Sequence, residues 1–147
     1  MKFIVITFVT LISLFSCNKE STPESTLEAL VESRFSGSDR DDLLELTTGK
    51  LKNQLENMSD DNVKLFLETD GLRRRTLKIT LKNCDTDKCF ITYILKYEDK
   101  RPQGTSFNVE VKKIAEVVLE DKKWLVSDIS NLKTYIDSKK EINALED

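Results

Sequence analysis

The sequence predicts an α+β domain, with N-terminal helices packed on one face of an antiparallel sheet of about four strands. Two observations carry this. Before Gly71 the apolar residues recur every three or four positions, in segments closed by glycine; from Leu77 onward they recur every second position. A third observation sets the scale. Behind an apolar leader of 16 residues stand 131 of the 147, enough for one domain that buries roughly two-thirds of its unfolded surface.

The helices come first. Ser21, Thr22, Pro23 and Glu24 read as a helix start: Ser21 or Thr22 can cap, Pro23 suits the first turn, and Glu24 stands at capping-box spacing from Ser21. Leu27, Leu30, Val31 and Phe35 then share one face, and Gly37 ends the helix. Ser38 and Asp39 open a second helical region with Leu43, Leu44, Leu46, Leu51, Leu55 and Met58 as its apolar members and Gly49 as a bend. Ser59, Asp60 and Asp61 begin a short third helix with Val63, Phe66 and Leu67 on its face, closed by Gly71.

The strands follow. Leu77, Ile79 and Leu81 alternate with Lys78, Thr80 and Lys82, the pattern of a half-buried strand. A second strand runs from about Cys89 to Tyr97, with Ile91, Tyr93, Leu95 and Tyr97 on one face. Arg101 to Thr105, containing Pro102 and Gly104, is a turn. A third, bulged strand covers Phe107 to Leu119, since Val109 and Val111 alternate before Ile114, Ala115, Val117 and Val118 blur the phase. Glu120 to Lys123 turn the chain into a fourth strand with Trp124, Leu125, Val126 and Ile129. Leu132, Tyr135, Ile136 and Ile142 fit either a helix face or a strand continuing to Ile136.

The leader gives the address. Lys2 supplies a positive start, and Phe3 to Phe15 is apolar except for Thr7, Thr10 and Ser13, too short to cross a bilayer as a helix, which takes roughly 20 residues. It ends on Leu14, Phe15, Ser16 and Cys17, which resembles the lipobox of bacterial lipoproteins, although Phe15 stands where that pattern more often has Ala, Ser, Thr or Val. The resemblance implies cleavage before Cys17, a diacylglyceryl thioether on its sulfur and an acyl group on the new amino terminus. The alternative is an ordinary signal peptide cut near Ser16 that leaves Cys17 a thiol. If the proteobacterial sorting rule applies, Asn18 in place of Asp leans towards the outer membrane over the inner. The chain then divides into a lipoprotein signal peptide (1–16), a lipidated tether (17–22), a single α+β domain (23–137) and a charged C-terminal tail (138–147).

The order of elements resembles the nuclear-transport-factor-2-like fold, also called a cystatin-like cone, which many small bacterial lipoproteins of unknown function carry. The likeness rests on the helix Pro23 to Phe35, the segment Gly37 to Leu46, and the closing hairpin Val117 to Val126 with Trp124 just past its turn. It departs from that family in lacking a visible short strand between Met58 and Asn62. The alternative fold is a small β-barrel or sandwich such as lipoprotein lysozyme inhibitors carry, for which about eight strands are needed to close.

Composition excludes much chemistry. With no histidine in the chain, neither a Ser-His-Asp nor a Cys-His system can be built, and histidine metal sites are ruled out. Once Lys2 leaves with the leader, the basic residues number one fewer than 23 against 26 acidic ones, a formal −4, which disfavours nucleic acid as partner. No catalytic residues, metal ligands or cofactor are assigned, and an enzyme is not expected.

Cys84 and Cys89 flank a four-residue loop between two strands and read as a disulfide in an oxidising compartment; free thiols or a partial metal site are the alternatives. Tyr93, Tyr97 and Trp124 could line a pocket between helices and sheet, although apolar alternation accounts for the same residues as core. Alternation also places Arg74, Lys78 and Lys82 on one exposed face, a stripe that fits an anionic partner or, more ordinarily, a solvated face that discourages edge pairing. Asp39, Asp41 and Asp42 lack the glycine and closing glutamate of a calcium loop and read as a helix start. The expected protein is an envelope lipoprotein, attached to the membrane by lipid on Cys17, that binds an envelope protein or small ligand. The alternative is a periplasmic inhibitor or immunity protein that blocks a lytic enzyme with the loop Asp85 to Lys88 or Arg101 to Thr105.

Overall fold

A computed structural model describes residues 21–67, 71–100 and 106–138. Cys17 and its lipobox, the turn expected over 101–105 and the tail beyond Ser138 lie outside the described residues. Four helices, α1 (Pro23–Ser36), α2 (Arg40–Glu45), α3 (Gly49–Asn57) and α4 (Asp60–Phe66), precede four long strands, β1 (Leu72–Cys84), β2 (Lys88–Asp99), β3 (Phe107–Glu120) and β4 (Lys123–Ser138). The strands lie in the order β1-β2-β3-β4, each antiparallel to its neighbour, in an open sheet. The α+β class and the helix-before-sheet order are as the sequence predicts.

Local chemistry sets the helix ends. The Thr22 hydroxyl accepts from the Ser25 N–H at 3.1 Å while the Ser25 hydroxyl accepts from the Thr22 N–H at 2.8 Å, so the expected capping box exists but is closed by Ser25, not by Glu24. Asp39 and Asp42 make the same reciprocal pair at α2, which puts these carboxylates at a helix start. The single helical region expected over Ser38 to Met58 is two helices. Gly49, at φ +54°, opens α3 after Thr47 and Thr48 have crossed to the sheet.

That crossing adds a fifth extended segment where about four were expected. Thr47 bridges Val126 in parallel, with the Thr48 N–H on the Val126 carbonyl and the Val126 N–H on the Leu46 carbonyl, both at 3.0 Å. Buried Thr47 turns its hydroxyl back to the Leu43 carbonyl at 3.0 Å.

The core lies between helices and sheet. Leu27, Leu30 and Val31 of α1, Leu43 of α2, and Leu51 and Leu55 of α3 meet Cys89, Ile91, Tyr93 and Leu95 of β2, Val109, Val111, Ala115 and Val117 of β3, and Val126 of β4. Arg34 of α1 is buried. Its Nε donates to the Phe66 carbonyl at 3.2 Å and its guanidinium lies 4.3 Å from the centre of the Phe66 ring, so a charged group closes the C-terminal end of α4.

Two bulges correct the reading of the first strand. β1 begins at Leu72, not Leu77, and its register to β2 slips between Arg74 and Thr76 and again between Ile79 and Leu81. Leu77 and Ile79 pair with Leu95 and Tyr93, but beyond the second slip Leu81 pairs with Thr92 and Lys82 with Ile91. Each slip reverses which side chains face the helices. Leu81, expected inside, is 64% exposed, and Lys82, expected on the open face, reaches Glu24 of α1. Lys78 and Lys82 therefore do not share one face, as the stripe of Arg74, Lys78 and Lys82 would require: Lys82 holds register with Ile91, whereas Lys78 holds register with Ile94.

β4 settles the ambiguity beyond Ser130 in favour of a strand through Ile136, ending at Ser138. The β3–β4 turn is tight, with Asp121 at φ +47° and Lys122 at φ +66°, as a two-residue hairpin turn requires.

Candidate functional site

Cys84 and Cys89 end β1 and begin β2 as a register pair, with Cα atoms 4.0 Å apart and sulfurs at disulfide distance, 2.02 Å. The loop they close presents Asp85, Thr86 and Asp87 to solvent. The Asp85 N–H donates to the Lys88 carbonyl at 2.8 Å, and the Leu119 N–H donates to the Asp87 carbonyl at 2.7 Å, which ties the tip to the end of β3. Replacing both cysteines by serine is expected to lower unfolding free energy by about 2 kcal/mol, the chain-entropy contribution of so small a loop. Denaturant titration of the two forms measures it, and equal midpoints would mean that no such crosslink constrains the unfolded chain.

Tyr93, Tyr97 and Trp124 have different surroundings. Tyr93 is fully buried in the core at the middle of β2. Tyr97, near the end of β2, sets its ring 6.0 Å from that of Phe35. Trp124, second residue of β4, lies beside the N-terminus of α1, where its carbonyl accepts from the Thr26 hydroxyl at 3.1 Å and its N–H donates to the Ser21 hydroxyl at 3.3 Å.

Depressions on the described surface include two that bear on these residues. One, of about 420 Å³, lies between α1 and β1 and is lined by Ser25, Glu28, Ala29, Glu32 and Leu77. The other, of about 400 Å³, lies over β2, β3 and β4 on the side of the sheet away from the helices, where Lys96, Asn108, Glu110, Tyr135 and Asp137 stand together with Tyr97. Tyr97 borders this second depression although its ring lies beside Phe35 of α1; Tyr93 and Trp124 line neither of the two. Sequence reading missed this second group because its members sit on three strands. Register brings them together, with Lys96 beside Glu110, Glu110 beside Tyr135, and Asn108 beside Asp137.

Lys96 Nζ and Glu110 Oε2 pair at 2.7 Å. A cation, two carboxylates, an amide and a phenol offer hydrogen bonds in both directions over a shallow apolar floor, an arrangement for holding a polar molecule. Among the described residues no group of three or more His, Cys, Asp or Glu is placed to hold a metal ion.

The carboxylate of Glu24 has its acidity raised by a neighbour. The Lys82 ammonium hydrogen-bonds Glu24 and holds its carboxyl below the usual carboxylate range, against the opposing effect of burial. A folded-state pKa below the unfolded one adds stability that is complete above the unfolded value and is lost as pH falls through the folded one. Glu24→Gln is therefore expected to be slightly less stable than the parent at neutral pH and equal to it in acid, a small difference because both partners are partly exposed. Thermal melts of both forms across the acid range check this.

No protein-family model and no curated protein matches the chain. Among solved structures it is similar to the solution structure of a SEC-C motif containing protein from Rhodopseudomonas palustris, at 12% identity and a TM-score of 0.58, over 76% of this chain and 80% of that one. It is also similar to the crystal structure of the intermembrane space region of the chloroplast protein ARC6, at 13% identity and a TM-score of 0.53, over 75% of this chain and 91% of that one. At such identities the likeness is one of fold, an α+β domain whose helices precede an open antiparallel sheet.

Proposed function

We propose that this protein is a bacterial envelope lipoprotein, held to its membrane by lipid on Cys17, whose domain is a non-enzymatic binding module of the nuclear-transport-factor-2-like, cone-shaped kind. The observation that carries this is the leader itself: a positive start, an apolar stretch too short to span, and Leu14, Phe15, Ser16, Cys17 at its end. The capping box at Thr22 supports it, because a helix cap five residues past Cys17 keeps the start of the domain within about 18 Å of the lipid even on a fully extended tether. Asn18 favours the outer membrane over the inner. The depression over Lys96, Tyr97, Glu110 and Tyr135 is the surface on which a small ligand or a protein side chain would sit.

Feeding labelled palmitate to producing cells tests the reading. Label is expected in the parent chain and absent from Cys17→Ser; an unlabelled parent would overturn it. The exposed tip Asp85, Thr86 and Asp87, held on a crosslinked hairpin, favours a second reading as an inhibitor or immunity protein. Loss of capture of a lytic enzyme on replacing that tip would select it.

A further inference from the structure

The two edges of the sheet differ in kind. β1 carries Arg73, Lys78 and Lys82 along its length and is broken by two register slips, features that discourage another strand from adding to it. β4 is covered only at its start among the described residues, where Thr47 bridges Val126 and Lys50 pairs with Asp128 at 2.9 Å. Its far end is different. Past a register slip around Leu132, residues Lys133 to Ser138 run in regular register with β3 and present their other edge outward. Among the described residues, three of the seven exposed large apolar or aromatic side chains lie here, Leu132 at 53%, Tyr135 at 51% and Ile136 at 67%.

The sequence of this edge is complementary to itself. In an antiparallel pairing with its dyad at Tyr135, Lys133 stands opposite Asp137 of the second copy, Asp137 opposite its Lys133, Tyr135 opposite Tyr135, and Thr134 and Ile136 opposite each other. Both ion pairs and the two tyrosines lie on the side of the sheet away from the helices, where the Lys133 ammonium already lies 4.6 Å from the centre of the Tyr135 ring. Moving the dyad to Lys133 or to Asp137 would oppose like charges. We propose that two copies of this chain associate through β4, edge to edge about Tyr135, to make one continuous antiparallel sheet. Such a contact is isologous and closes at two. It also brings the depressions that hold Tyr135 and Asp137 in the two copies side by side. The inference does not depend on lipid at Cys17, and an unlipidated chain would pair in the same way.

Crosslinking of the full-length chain tests it. Opposed antiparallel positions lie ~4.5 to 5.5 Å apart at Cα, within reach of a disulfide. Tyr135→Cys, oxidised with copper–phenanthroline in cell extract, is expected to give a reducible species of twice the monomer mass, while Ser130→Cys and the parent chain give no covalent dimer. Adding Lys133→Asp to Tyr135→Cys should lower the crosslinked fraction roughly five-fold, since both ion pairs become like-charge pairs, and adding Asp137→Lys as well should restore it. Light scattering of the variants without the new cysteine provides a second reading of the same order. The proposal is overturned if Tyr135→Cys gives no dimer, if Ser130→Cys crosslinks equally, if the charge changes have no effect, or if the crosslinked partner has a different mass.

Discussion

Truncating Leu30 to alanine is expected to lower unfolding free energy by about 3 kcal/mol and the melting midpoint by about ten degrees. Leu30 is fully buried on the face of α1 that meets the sheet, in a cluster whose members come from three helices and three strands. Removing its side chain forfeits the transfer of its methyl groups out of water and leaves a cavity that close-packed neighbours cannot fill. The informative comparison is Leu81→Ala. Strict alternation from Leu77 would make Leu81 a core residue with the same large cost; its 64% exposure predicts a change within about 0.5 kcal/mol. Parallel denaturant titrations of the two variants therefore test the packing of α1 and the second β1 bulge together, and equal losses would contradict the bulged register.

Changing Cys17 to serine is expected to move the protein from the membrane fraction to the soluble one. Each buried methylene contributes about 0.8 kcal/mol, so one acyl chain binds marginally and two or more hold stably. Serine cannot form the thioether that carries the diacylglyceryl group. Within the described residues no helix is long and apolar enough to cross a membrane. Fractionation of cell lysates with high-salt washing separates the outcomes, and a Cys17→Ser chain that stays with the membrane would contradict lipid anchoring at this residue.

The class of the fold was legible because helix caps and strand alternation are local signals. Thr22, Asp39 and Ser59 each begin a helix, and the alternation of Ile91, Tyr93 and Leu95 marks the core side of β2 without ambiguity. What was not legible depends on partners distant in sequence. The slip between Ile79 and Leu81 is set by pairing with β2, and nothing in a run of alternating Leu, Ile and Lys announces it. The strand at Leu72 was hidden behind three arginines, and the Thr47 bridge behind an interhelical linker whose two hydrogen bonds go to β4. Buried Arg34 looks like a polar position on an amphipathic helix until α4 supplies a carbonyl and a ring. The depression around Lys96 and Tyr135 has the same origin, since its residues come from three strands and only register joins them.

Intact-mass spectrometry of the mature protein extracted in detergent tests the central claim most directly. The account predicts a chain that begins at Cys17 and carries the added mass of a diacylglyceryl group and an amide-linked acyl chain. An unmodified Cys17, or a chain that still begins at Met1, would contradict it.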